Sequence, residues 1–131
     1  MKQLLKIIFV FVLAFVSLDA KCQCLAPDVE VDDQSGCNFD ITVCWNGGSC
    51  CVGPATYPTL TCLDPATYLC TGNPYSVTIT DPHNSMNTQT YSLTTSGSGS
   101  ISACGCTYSI TVIPLTPPSS APAQVTIGGC P

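Results

Sequence analysis

The chain has 131 residues, eleven cysteines, eight acidic side chains, three lysines and no arginine, for a formal net charge of −5. That balance excludes electrostatic binding to nucleic acid or to anionic membranes, both of which need clustered basic side chains. Cysteine at this density marks a disulfide scaffold and an oxidising compartment.

Residues 1–22 read as a secretory leader. Lys2 and Lys6 form a positive start, and Ile7 to Val16 is an unbroken apolar run of ten residues. Such a run suits the core of a signal peptide and falls short of the roughly 20 residues a membrane-spanning helix needs. Cleavage is expected after Ala20 or after Cys22, where small residues stand at or near the required positions. Acylation of Cys22 is the disfavoured alternative, because Lys21 stands where a small residue is needed. A cut after Cys22 leaves one domain, 23–131, with ten cysteines, seven carboxylates and no Lys or Arg. No Lys or Arg ion pair then contributes to the fold. Exposed pairs give only about 0–1 kcal/mol each, whereas each disulfide gives about 2–4 kcal/mol. No membrane insertion is expected after cleavage.

Along the domain the dominant signal is period-two alternation, the mark of half-buried strands. Val29 and Val31 open the set. Asn38 to Asn46 puts Phe39, Ile41, Val43 and Trp45 on one face, and Asp40, Thr42 and Cys44 on the other. Residues 47–73 break the pattern with four cysteines, Gly47-Gly48, Pro54, Pro58 and Pro65. They read as a disulfide-stapled excursion with one short strand, Thr59 to Leu63. Alternation resumes at Tyr75 to Thr80, with Tyr75, Val77 and Ile79 inward. It continues through Tyr91 and Leu93, Ile101 and Ala103, and Cys106 to Val112, and ends with Val125 and Ile127. Asn73-Pro74, Asp81-Pro82, Ser96 to Gly99 and Pro117-Pro118 read as turns. The expected fold is all-β: a disulfide-rich antiparallel β-sandwich of six to eight short strands. Its architecture is immunoglobulin-like. Membership of that family is rejected, because Trp45 directly follows Cys44, whereas the immunoglobulin tryptophan lies on the next strand.

The pairs Cys22/Cys24, Cys104/Cys106 and Cys50/Cys51 superficially suggest a thiolate metal cluster. The abundance of alternating Val, Ile and Tyr argues instead for a packed domain with disulfides among Cys24, Cys37, Cys44, Cys50, Cys51, Cys62, Cys70, Cys104, Cys106 and Cys130. Adjacent Cα atoms are too close for an ordinary bridge, so Cys50 and Cys51 should bond to different partners. Cys104 and Cys106 should also bond elsewhere. Cys44, on the polar face, should reach into the 47–73 excursion.

The chemistry-bearing residues are few. His83 is the only histidine and lies in the turn Asp81-Pro82-His83-Asn84. No nucleophile elbow accompanies it, and one histidine is short of a catalytic zinc set. No catalytic role and no cofactor are expected. Asp28, Glu30 and Asp32 share one face of an extended segment, so they are the candidate Ca²⁺ ligands, weighed against a solvated sheet edge. Tyr57 and Tyr68 in the excursion are the candidate aromatic platform for a glycan, weighed against packing over the disulfides. Asn-x-Ser/Thr sequons are absent.

The expected function is that of a secreted, non-catalytic module with a structural, adhesive or surface-interaction role. Its partner would be a protein or glycan at the cell surface or matrix, and self-association is a further expectation. Two alternatives are carried. One is a small protease inhibitor or effector presenting the stretch Val52 to Thr61 between Cys51 and Cys62. The other is a carbohydrate-binding module.

Overall fold

The computed structural model describes residues 24–57 and 60–131; the leader, its cleavage points and Cys22 lie outside them. Nine strands follow one another. They are β1 (Val29–Asp33), β2 (Asp40–Trp45), β3 (Cys50–Ala55), β4 (Thr61–Leu63) and β5 (Pro74–Asp81), then β6 (Asn84–Ser92), β7 (Gly97–Ala103), β8 (Cys106–Ile113) and β9 (Ala123–Ile127). They form a five-stranded sheet, β4-β1-β9-β8-β7, and a four-stranded sheet, β3-β2-β5-β6. Among the described residues no helix is long and apolar enough to cross a membrane.

The alternation read from sequence places the core. Val29 and Val31, Ile101, Tyr108, Ile110 and Val112, and Val125 and Ile127 supply the five-stranded sheet's inner face. Phe39, Ile41, Val43, Trp45, Val77 and Ile79 supply the facing layer, and all six are fully buried. Two contacts tie the layers together. The Phe39 and Tyr108 rings meet edge to face at 5.4 Å. The Trp45 indole N–H donates to the Pro27 carbonyl at 2.9 Å, which satisfies the one polar atom of that side chain.

Several expectations are corrected. The strands number nine rather than six to eight: β3 lies inside a segment that reads as a loop, and β7 extends the Ile101 and Ala103 alternation back into a run that reads as a turn. β3 occupies the start of the excursion. Gly53-Pro54 hides it, yet Pro is tolerated in β3 because that strand is a sheet edge. At Gly53 (φ 112) the chain bulges against β2, and a side chain there would strike the Ile41 carbonyl. β7 begins inside the Ser96 to Gly99 run. Its glycines are needed for close approach: a Cβ at Gly99 would collide with the Tyr91 hydroxyl. Six of the seven strand pairings are antiparallel, but β1 runs parallel to β9. The short strand in the excursion is Thr61–Leu63, and Thr59 lies outside the described residues.

Tyr75 is turned outward, not inward. The β2–β5 register runs Cys44↔Ser76 and then Trp45↔Pro74, so Tyr75 is an extra residue with no partner. This bulge buries Pro74 and exposes Tyr75.

All ten cysteines from Cys24 onward are paired: Cys24–Cys62, Cys37–Cys104, Cys44–Cys51, Cys50–Cys70 and Cys106–Cys130. Cys50 and Cys51 take different partners, as do Cys104 and Cys106. Cys44 bonds to the residue directly opposite it on β3. Cys37–Cys104 joins the β1–β2 connection to the β7–β8 turn, and so pins one sheet to the other at one end of the sandwich.

Candidate functional site

The acidic run does not converge into a cage. Glu30 and Asp32 do lie on the outer face of β1, while Asp33 is buried and accepts from the Ser35 backbone N–H. Each candidate ligand has its own neighbour. Asp28 accepts from the Leu25 N–H, Glu30 from the Gln124 amide at 3.3 Å, and Asp32 from the Gln34 amide at 2.7 Å. The tightest grouping of potential metal ligands among the described residues is Cys24, Asp28 and Cys62. Its two sulfurs are bonded to each other, so it offers one carboxylate and no thiolate.

The aromatic pair is split. Tyr57 is 9% exposed and belongs to the core, so it cannot serve as a platform. Burial, and secondarily Tyr68, push its phenol above the ordinary 10.0. Tyr68 remains 46% exposed, at the end of the 3₁₀ turn Pro65–Tyr68 that Asp64 caps. The stretch 52–61 is not a loop clamped by its own cysteines. Cys51 is held by Cys44 and Cys62 by Cys24, and the segment crosses from β3 in one sheet to β4 in the other.

His83 sits in the two-residue β5–β6 turn with its side chain 78% exposed. Asp81 opens that turn and Pro82 follows it, the residues a type I turn favours at those positions. The Asp81 carboxylate accepts from the His83 backbone N–H at 2.9 Å and from the Asn87 amide at 3.2 Å. Those bonds hold the carboxyl below its ordinary 3.8. The Asn87 amide also donates to the Ser102 carbonyl of β7 at 2.7 Å.

A different surface emerges from the fold. On the outer face of the four-stranded sheet, Thr78 meets Thr90 and Thr80 meets Thr88, each pair with hydroxyls 3.1 Å apart. At the end of this ladder the bulge lifts Tyr75 over a shallow groove of about 350 Å³, lined also by Ser76, Thr90, Tyr91, Ser92 and Thr94. Ser92 and Thr94 hydroxyls lie 2.7 Å apart, and the Thr94 N–H donates to Ser92 Oγ, which fixes the groove's rim. No lining residue is charged. Alternation alone assigns Tyr75 to the core, and only the register of β2 against β5 reverses that.

The groove belongs to a larger asymmetry. All seven carboxylates of the domain lie between Asp28 and Asp81, and residues 82–131 contain no Asp, Glu, Lys or Arg. In the fold this puts charge on and beside β1, next to β4, and at one end each of β2 (Asp40) and β5 (Asp81), while β6, β7, β8 and β9 carry none. Comparison with protein-family models, with curated proteins and with solved structures gives no match.

Proposed function

We propose that the chain is an exported, non-catalytic interaction module acting at a cell surface or in a matrix. The observation that carries this reading is the uncharged strip of β5 and β6 on the outer face of the four-stranded sheet, where hydroxyl ladders end at the Tyr75 groove; the one carboxylate on that face, Asp40, lies at the far end, beside Thr80. A face of this kind suits a partner recognised through hydrogen bonds and an aromatic contact rather than through charge. Five disulfides hold the presenting scaffold in an oxidising compartment, which fits the leader-like start of the sequence.

The test has two stages. Intact mass of the exported protein, reduced and non-reduced, should show a chain beginning near Lys21 or Gln23 with five bridges. The protein is then partitioned between medium and cell surface across a range of salt. Retention should be nearly independent of salt, because the hydroxyl ladders and the Tyr75 groove have no charges to screen. Retention that collapses in high salt would refute this reading.

A second reading is favoured by the groove itself. One exposed tyrosine among hydroxyls suits a neutral glycan, at Tyr75 rather than at Tyr57 and Tyr68. Tyr75→Ala should then abolish retention on glycan-coated resin while leaving all five disulfides formed.

A further inference from the structure

The sandwich has four edge strands, and they are not equally protected. Exposed edges invite pairing with another chain unless they are short, charged, bulged, interrupted by proline or covered. β3 carries Gly53-Pro54 and a bulge. β4 has only three residues, is followed by Asp64, and is paired with β1, which carries Glu30. β7 is partly covered from within: Asn87 bonds its Ser102 carbonyl, and the Tyr91 ring lies against Gly97 and Gly99.

β6 has none of these protections from Thr88 to Ser92; only its start breaks register with β5, where the Asn84 amide oxygen accepts from the Met86 N–H. It is the longest strand, with nine residues, no proline and no charge, and seven of the nine are exposed. Its two half-buried residues, Asn87 and Tyr91, are the ones that cover β7. Met86 stands 92% exposed on it. Its side chains guard a neighbour, while its own outer edge pairs with no strand among the described residues.

We infer that the β6 edge binds the β6 edge of a second copy, antiparallel about a two-fold axis, joining two four-stranded sheets into one of eight. Charge placement selects the occupant. Two copies of a chain whose domain carries seven carboxylates and, once the leader is removed after Cys22, no Lys or Arg repel each other in most orientations. Meeting at β6 brings charge-free strands together. The antiparallel sense also places the two Asp81 turns at opposite ends of the joint. The chemistry is already present within one copy, since β5 pairs with β6 through Thr–Thr contacts, and Thr88 and Thr90 offer the same hydroxyls along the strand. This inference rests on the interaction reading above and names one partner for it.

The test uses the exported full-length domain with its disulfides intact, by sedimentation and light scattering over a wide concentration range. The unaltered protein should form a dimer in a concentration-dependent way, and β6 amides should exchange more slowly as concentration rises. Met86→Glu with Gln89→Glu should weaken dimerisation by about ten-fold or more, because each copy then brings two added carboxylates to the joint. Thr111→Glu, on the outer face of β8, should leave it unchanged. Near-ultraviolet dichroism and non-reduced mass establish that each variant is folded. A monomer at the highest attainable concentration overturns the inference. So does equal loss with Thr111→Glu, or a dimer broken by Ser100→Glu on β7 but not by the β6 pair. A monomer that still partitions with the cell surface overturns this inference alone and leaves the interaction reading standing.

Discussion

Removing individual disulfides should destabilise the sandwich in proportion to the loop each closes. Cys37–Cys104 spans 67 residues and Cys44–Cys51 only 7. In the chain-entropy treatment, the long loop contributes about 4 kcal/mol and the short one about 2 kcal/mol. The shortcut through Cys44–Cys51 and Cys50–Cys70 shortens the long loop to about 40 residues, which still leaves about 4 kcal/mol. Packing acts in the same direction. Cys37 is buried in the core, so Cys37→Ala also leaves a small void, whereas Cys44 is half-buried on the outer face. The β2–β3 hairpin moreover holds Cys44 opposite Cys51 without a bond. Cys37→Ala/Cys104→Ala should therefore lower stability about 2 kcal/mol more than Cys44→Ala/Cys51→Ala. Guanidinium unfolding followed through Trp45, the only tryptophan and fully buried, measures both. Equal losses, or a larger loss for the short loop, would refute the argument that loop closure governs these bonds.

Three further outcomes follow from single sites. The Asp81 carboxyl titrates near 3.8 when unfolded and lower when folded, so its contribution is complete above that value and is lost as pH falls through the folded one. Asp81→Asn should accordingly flatten the acid limb of a plot of unfolding midpoint against pH. The phenols of Tyr57 and Tyr91 are raised above 10.0 by burial, so these two should ionise late in an ultraviolet titration. Stability should fall as pH rises from about 10 through their folded values, because only the unfolded chain ionises them easily there. Gly99→Ala should cost about 1–3 kcal/mol through its clash with Tyr91, and Tyr91→Phe should relieve part of that loss in the double variant; strictly additive losses would exclude the contact.

The core was legible because alternation reports which residues face inward. Phe39 just before β2, Ile41, Val43 and Trp45 on it, and Tyr108, Ile110 and Val112 on β8, follow it without exception. What alternation cannot report is a partner. Tyr75 is expelled by a register shift against β2, and nothing in Asn-Pro-Tyr-Ser distinguishes that bulge from a regular strand start. The start of β7 looked like a turn because Gly97 and Gly99 are turn residues until a tyrosine from β6 is laid over them, whereas Ile101 and Ala103 were legible as strand. Tyr57 looked exposed because the surrounding glycines, prolines and cysteines conceal how the excursion folds back onto the core. The parallel pairing of β1 with β9 is set by topology and leaves no trace in Val29–Asp33. The charge-free run from 82 to 131 is plain in the sequence, but its meaning depends on the fold, which makes one of its strands, β6, a sheet edge.

That segregation fixes the sign of a salt effect. An interface made of complementary charges weakens as salt screens it. Here the long-range force between two copies is repulsion among carboxylates, none of them on β6 itself, and the edge has no ion pair to lose. Raising ionic strength should therefore strengthen β6–β6 dimerisation. Lowering the pH towards the carboxylate range should strengthen it further by removing the charges themselves. Light scattering at fixed protein concentration across a salt series measures this directly. A dimer that dissociates as salt rises would show that opposite charges hold it, and the neutral edge would then not be the joint.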